Sequence, residues 1–191
     1  MISSARSKPL FTSARERRLW VWTLAVVAAI YSTLGLARTL AGELRNRDLL
    51  DAAFVVGALL VGVTIVTLAL QTRPGGTEIG VALGVAAAYL MVFIRMGIPE
   101  ERTHLIEYGI VAAFIYEALI ERARQGRRVP TVPLIAVVAT ALLGALDESI
   151  QALLPGRVFD PADILVNLIA GAMAVAASVA LRRARGRKSL Q

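Results

Sequence analysis

Long apolar runs divide the chain into six segments, separated by short polar or charged breaks. The runs cover residues 19–37, 51–71, 78–98, 104–120, 129–154 and 162–181. They are continuous, without the strict alternation of a half-buried strand or the single stripe of a soluble helix. Each comes close to the roughly 20 apolar residues that cross a bilayer core as a helix. The expected fold is therefore all-α, a polytopic transmembrane helix bundle of about six spans. The breaks agree with that division. Residues 38–50 form a charged connector of mixed sign, and residues 72–77 (TRPGGT) carry the Pro and Gly of a tight reversal. Residues 99–103 (PEERT) and 155–161 are further short turns. Four parts follow: a basic tail over residues 1–18, three helices over 19–98, a three-helix core carrying the polar motifs over 99–181, and a basic tail over 182–191. The first run is long for a signal-peptide core and is expected to persist as the first helix.

Charge adds an orientation. The chain of 191 residues carries a net charge of +7. An even number of spans puts both termini on one side. That side, with Arg73 and the loop over residues 121–128, collects fifteen of the twenty-one Lys and Arg residues. By the positive-inside rule both termini are expected in the cytoplasm. The basic residues sit at segment ends, which argues for topology and anionic lipid and against a nucleic-acid partner.

Composition narrows the chemistry. With 57% hydrophobic and 18% charged residues, 191 residues suffice for five or six spans and leave no room for a soluble domain. The absence of cysteine excludes disulfides and thiolate metal sites. One histidine without cysteine argues against zinc held only by protein ligands, and no cofactor is readable. A divalent cation on oxygen ligands, Mg²⁺ or Ca²⁺, stays open.

The polar residues inside the apolar segments are the exception that points to function, because ionisable groups within membrane helices are costly. Residues 147–167 (DESIQALLPGRVFDPADILVN) hold Asp147, Glu148, Gln151, Arg157, Asp160, Asp163 and Asn167. His104, Glu107 and Tyr108 share one helical sector at the start of the fourth run, with Glu101 and Arg102 just before it. Asp147 and Gln151, and Asp163 and Asn167, are spaced four apart, and Gly171 continues the second stripe. All these groups fall at the end of the bundle opposite the termini. Asp160 reads as the N-cap of the last helix, with Pro161 in its first turn. Glu117 and Glu121 are expected to pair with Arg124 or to meet water. The glycines of spans two and three read as close-packing positions. Arg95 is expected at the level of the polar cluster.

These residues resemble the VanZ-like family of bacterial membrane proteins. The first motif is Glu101-Arg102-Thr103-His104 with Tyr108, where Arg102 holds a position more often Lys. The second is Glu148, Gln151, Pro155-Gly156-Arg157, Asp163, Asn167 and Gly171. The resemblance spans the fourth to sixth runs, and the first three match in hydropathy alone. It implies a link to glycopeptide (teicoplanin) resistance, after the member that names the family. It also implies kinship with lipid-acting membrane enzymes such as base-exchange phosphatidylserine synthases.

The residues and the resemblance together point to an enzyme acting on a lipid or polyprenyl-linked head group at the outer face. His104, Tyr108, Asp147, Glu148, Gln151, Asp163 and Asn167 are the candidate catalytic set, and Arg102, Arg157 and Glu101 the candidate substrate-binding set. The alternative is a non-catalytic membrane protein that binds or moves a lipid or amphipathic antibiotic. A channel would need a polar stripe through the whole bilayer, whereas the polar groups crowd one end.

Overall fold

The computed structural model describes residues 9–47, 49, 52, 56, 73–96, 99–154 and 159–188, with the side chains of 35–42, 44–45, 99–101 and 187–188 outside that description. Among the described residues there is no strand. Five long helices are present: α1 (Ala14–Asn46), α2 (Gly76–Arg95), α3 (Pro99–Arg124), α4 (Val132–Gln151) and α5 (Pro161–Lys188). Four of them, α2 to α5, are long and apolar enough to cross a membrane. The first apolar run lies within the 33 residues of α1. The expected second span, residues 51–71, lies almost wholly outside the described residues.

The helices form around α3, which packs against α1, α4 and α5, while α2 leans on α5 from outside. The core is Ile30 of α1, Val111, Ala112, Ile115 and Tyr116 of α3, Ala136 of α4, and Ala174 and Val175 of α5. Small side chains dominate the helix crossings, as expected where lipid removes the hydrophobic drive and close backbone approach must supply the attraction. No residue of α2 is buried. Its outward Leu83, Leu90 and Ile94, like Leu142 and Leu146 of α4, present apolar surface suited to lipid.

Two of the expected glycine roles are corrected here. A Cβ at Gly80 or Gly84 of α2 would meet nothing within 4 Å, so neither is a close-packing position. The tight sites are Gly144 and Gly171, at the crossing of α4 and α5. A Cβ on Gly144 would lie 2.7 Å from Cβ of Asn167, and one on Gly171 would lie 3.2 Å from Cγ2 of Thr140.

A polar latch closes the end of the bundle that carries the N-terminus of α1. Ser13 caps α1, its hydroxyl accepting the amide of Glu16 at 3.0 Å. Glu16 reaches back to accept from the amide and hydroxyl of Thr12. The sequence Ser13-Ala14-Arg15-Glu16 is thus a form of the S-x-x-E capping box. The fully buried Glu16 also accepts from Arg122 of α3 at 2.7 Å. Glu117 pairs with Arg15 and Arg182, and Glu121 accepts from Ser13 and Gln125 and lies 3.5 Å from Arg15. These partners come largely from other helices: Arg124 acts on Glu121 only at longer range, and where pairing with Arg124 or water is expected, the described ion pairs join α1, α3 and α5.

Glu16 precedes the apolar part of α1, and its pKa is informative. Burial pushes it up, but the Thr12 hydrogen bonds and the Arg122 guanidinium outweigh this and hold it below the ordinary carboxylate value. A depressed carboxylate contributes stability above its unfolded pKa, and that contribution is lost as pH falls through the lower folded value. Glu16→Gln is therefore expected to lower the stability of the solubilised protein at pH 7 by about 1 kcal/mol, from the charged hydrogen bonds it loses. The deficit should shrink as pH falls toward 3. Thermal unfolding of both proteins across that range checks it, and a deficit independent of pH removes the charge from the account.

Candidate functional site

At the opposite end of the bundle, three helix ends bring their polar stripes together. These are the first turns of α3, the last turns of α4 and the first turns of α5. His104 and Tyr108 of α3, Asp147, Glu148 and Gln151 of α4, and Asn167 of α5 are all buried, and Asp163 is half-buried. Seven polar side chains from three helices thus share one region enclosed by apolar segments. Buried polar groups in such surroundings are costly unless they pair, so their collection in one place demands a reason.

The central contact is between His104 and Asn167, with Nδ1 of the imidazole 3.0 Å from Oδ1 of the amide. An amide oxygen only accepts, so Nδ1 carries the proton and donates it. The lone pair of the neutral ring is then on Nε2. Tyr108, one turn on, stacks on the imidazole with centroids 5.9 Å apart and planes 11° from parallel. The ring is thus held in both tautomer and orientation. Asp147 lies against Tyr108 and within electrostatic reach of Tyr31.

Glu148 approaches the same point from α4. One of its oxygens, Oε2, accepts the backbone amide of Asp160 at 3.2 Å. The other, Oε1, is buried and has no hydrogen-bond partner among the described residues. Donor atoms of His104, Glu148 and Asp163 all lie within 4.8 Å of one another. Asp160 itself is a cap: its Oδ1 accepts the amide of Ala162 at 2.8 Å, with Pro161 opening the helix. That geometry places Asp163 and Asn167 one turn apart on the inward face of α5.

The substrate-binding candidates fare differently. Arg102 donates from Nε and Nη2 to the carbonyl of Met96, at 3.1 and 2.8 Å, and lies 5.0 Å over the ring of Phe93. It therefore ties the start of α3 to the end of α2, satisfying a carbonyl left over at a helix terminus. Arg95 is exposed and does not join the buried cluster by any described contact. Arg157 and the side chain of Glu101 lie outside the described residues.

Three contributors escaped the reading of sequence. Tyr31 of α1 donates its hydroxyl to the carbonyl of Leu143 at 2.8 Å, joining the first apolar run to the site end of α4. Nothing in the sequence around Tyr31 signals this. Thr140 and Gly144 were legible in principle. With Asp147, Glu148 and Gln151 they form a stripe of three- and four-residue steps that carries the polar face into the middle of α4.

A cavity of about 610 Å³ lies at the far end of the bundle, lined by Arg15, Glu117, Arg124, Arg182 and Arg185 among others. Its acid, Glu117, is engaged by Arg15 and Arg182. None of the residues singled out for chemistry lines it, so the buried His104 cluster is the better candidate site.

The profile of the VanZ/LLP1 family matches residues 83–182, more than half of the chain. The chain belongs to the VanZ/LLP1 family. The matched region runs from within α2 to the latch residue Arg182 and contains every residue of the buried cluster, so the cluster is built wholly from the VanZ/LLP1 portion. Together with the apolar helices α2 to α5, this makes the chain a multi-pass membrane protein of that family. No curated protein matches it, and no solved structure does.

Proposed function

We propose that this VanZ/LLP1 protein is a membrane enzyme that exchanges or hydrolyses a phosphodiester in the head group of a lipid or polyprenyl-linked substrate. The observation that carries the reading is the His104–Asn167 contact inside a buried carboxylate cluster. A lone imidazole with its tautomer set by an amide, and Nε2 left to accept a proton, is the arrangement a general base requires. In the step envisaged, the proton of an incoming hydroxyl or water passes to Nε2 of His104. The hydroxyl oxygen bonds to phosphorus, the bond from phosphorus to the leaving alcohol oxygen breaks, and the imidazolium returns its proton to that oxygen. Tyr108 holds the ring, and Asp147 stabilises the positive charge the ring acquires. Gln151 supplies a head-group contact. Arg157 is assigned to the phosphate oxygens, and Arg102 joins it by sharing the donors it now gives to Met96.

The site is assigned to the outer face of a bacterial inner membrane, with both termini in the cytoplasm, on the strength of the basic bias at the other end. A role in the cell envelope, including glycopeptide resistance, belongs to the same reading. The absence of native cysteine makes the orientation directly testable. A single cysteine at the exposed Leu153 should react with an impermeant maleimide in intact spheroplasts. One at the exposed Gln125 should react only after permeabilisation. The reverse pattern would put the site in the cytoplasm.

The activity itself is tested by comparative lipid mass spectrometry of membranes with and without the protein. A lipid or polyprenyl species that appears or disappears with it supports the enzyme and names the product class. Identical profiles, where the protein has a phenotype, would favour ligand binding without chemistry.

A further inference from the structure

The buried carboxylates raise a question of charge that the hydrogen bonds leave open. Glu148 is 1% exposed, and its Oε1 has no hydrogen-bond partner among the described residues. No ion pair among the described residues reaches either Glu148 or Asp163. A carboxylate taken out of water without a compensating charge is strongly disfavoured, and the usual remedies are a paired cation, a metal ion or protonation.

We infer that Glu148 and Asp163 hold one divalent cation of the oxygen-preferring class (Mg²⁺, Ca²⁺ or Mn²⁺) beside His104. The inference deepens the proposed phosphodiester chemistry and rests on the same site. Three features of the structure carry it. First, the donor atoms of the three residues lie within 4.8 Å of one another, a spread no wider than about twice a calcium–oxygen bond. Second, Glu148 is already oriented, since the Asp160 amide holds one oxygen and leaves the other as an unused acceptor. Carboxylate ligands are commonly fixed by outer hydrogen bonds of this kind. Third, the imidazole is fixed by Asn167 through Nδ1, and the ring so held places one of its nitrogens within the same group as the two carboxylates.

Two carboxylates are few ligands for an all-protein cage. They are, however, a common protein complement where substrate phosphate and water complete the shell of Mg²⁺. The cation would thus be a place for the phosphodiester oxygens, screening their charge from Glu148 and Asp163. Without it, an anionic head group would have to approach two carboxylates. This narrows the substrate to one carrying a phosphate or diphosphate next to its reacting bond. His104 keeps the proton-transfer role, because oxygen-preferring cations are satisfied by the carboxylates.

The test uses the full chain in nanodiscs of zwitterionic lipid, with Mn²⁺ alone as the probe and electron paramagnetic resonance as the readout. One saturable Mn²⁺ per chain is expected, displaced by excess Mg²⁺ or Ca²⁺. Glu148→Gln and Asp163→Asn should each weaken it at least 10-fold, while Glu43→Gln, at an exposed acid already paired with Arg47, should leave it unchanged. Asp163 is half-buried at the start of a helix, so its variant remains informative if Glu148→Gln fails to fold. Absence of saturable binding, or binding unaltered in both variants, overturns the inference. The two proposals also fail separately. Mn²⁺ binding without any lipid change removes the enzymatic reading alone. A lipid change that persists in chelator-stripped membranes and in Glu148→Gln removes the cation alone.

Discussion

His104→Ala is expected to abolish the proposed lipid change while the protein still inserts and accumulates as the wild type does. The expected loss is about 10²–10⁴-fold in turnover, the usual contribution of a positioned acid–base group. No second imidazole is present in the chain to substitute for it. The truncation also removes the ring that stacks on Tyr108 and leaves the Asn167 oxygen without its donor. Accumulation and detergent stability must therefore be measured beside the lipid profile. A mutant that is stable, present at wild-type level and fully active would strip His104 of the proton-transfer role. The cluster would then have to act as a binding cavity.

Gly144→Ala should be nearly as damaging, although Gly144 carries no chemistry. Its added Cβ would lie 2.7 Å from both Cβ and Nδ2 of Asn167, closer than real Cβ contacts come. Cβ of Asn167 is rooted in α5 and cannot swing away, so either α4 and α5 separate or Asn167 turns. Overpacking of this kind costs about 1–3 kcal/mol, and any turning of Asn167 breaks its hold on Nδ1 of His104. The expected result is a less stable protein with activity reduced beyond what its lower abundance explains. Gly171→Ala is the companion measurement. Its Cβ would meet Thr140 at 3.2–3.3 Å and not the Asn167 amide, so stability should fall less and activity per molecule should hold. Equal losses of specific activity in the two variants would separate the crossing from the orientation of His104.

Much of the site was legible because a membrane makes polar residues conspicuous. His104, Tyr108, Asp147, Glu148, Gln151, Asp163 and Asn167 stood out as polar groups at helical spacing inside apolar runs, and the structure brings all seven to one place. Asp160 was legible as a cap from its position before Pro161. Proximity in sequence does not by itself give contact. Arg102 sits two residues before His104, and its assignment to the substrate rests on sequence position and not on a described contact with the cluster. A helix rotates about 100° per residue, however, which turns Arg102 away from the sector of His104. Its side chain meets the end of α2 instead. Spacing along one helix offers Glu117 and Glu121 only Arg124 or water, whereas their partners arrive largely from α1 and α5.

The sequence by itself determined that the chain is helical and built for a membrane, because backbone groups in hydrocarbon must bond within their own segment. It also determined which residues are too polar to face lipid. Only the tertiary structure decided which helices meet, and hence that Gly144 faces Asn167, that Tyr31 reaches Leu143 and that Arg15, Arg122 and Arg182 close the far end. Hydropathy reports a residue's preference for lipid or water. In a bundle of similar apolar helices that preference is nearly the same on every face, so the choice of neighbour falls to side-chain size at the crossings and to a few long-range polar contacts.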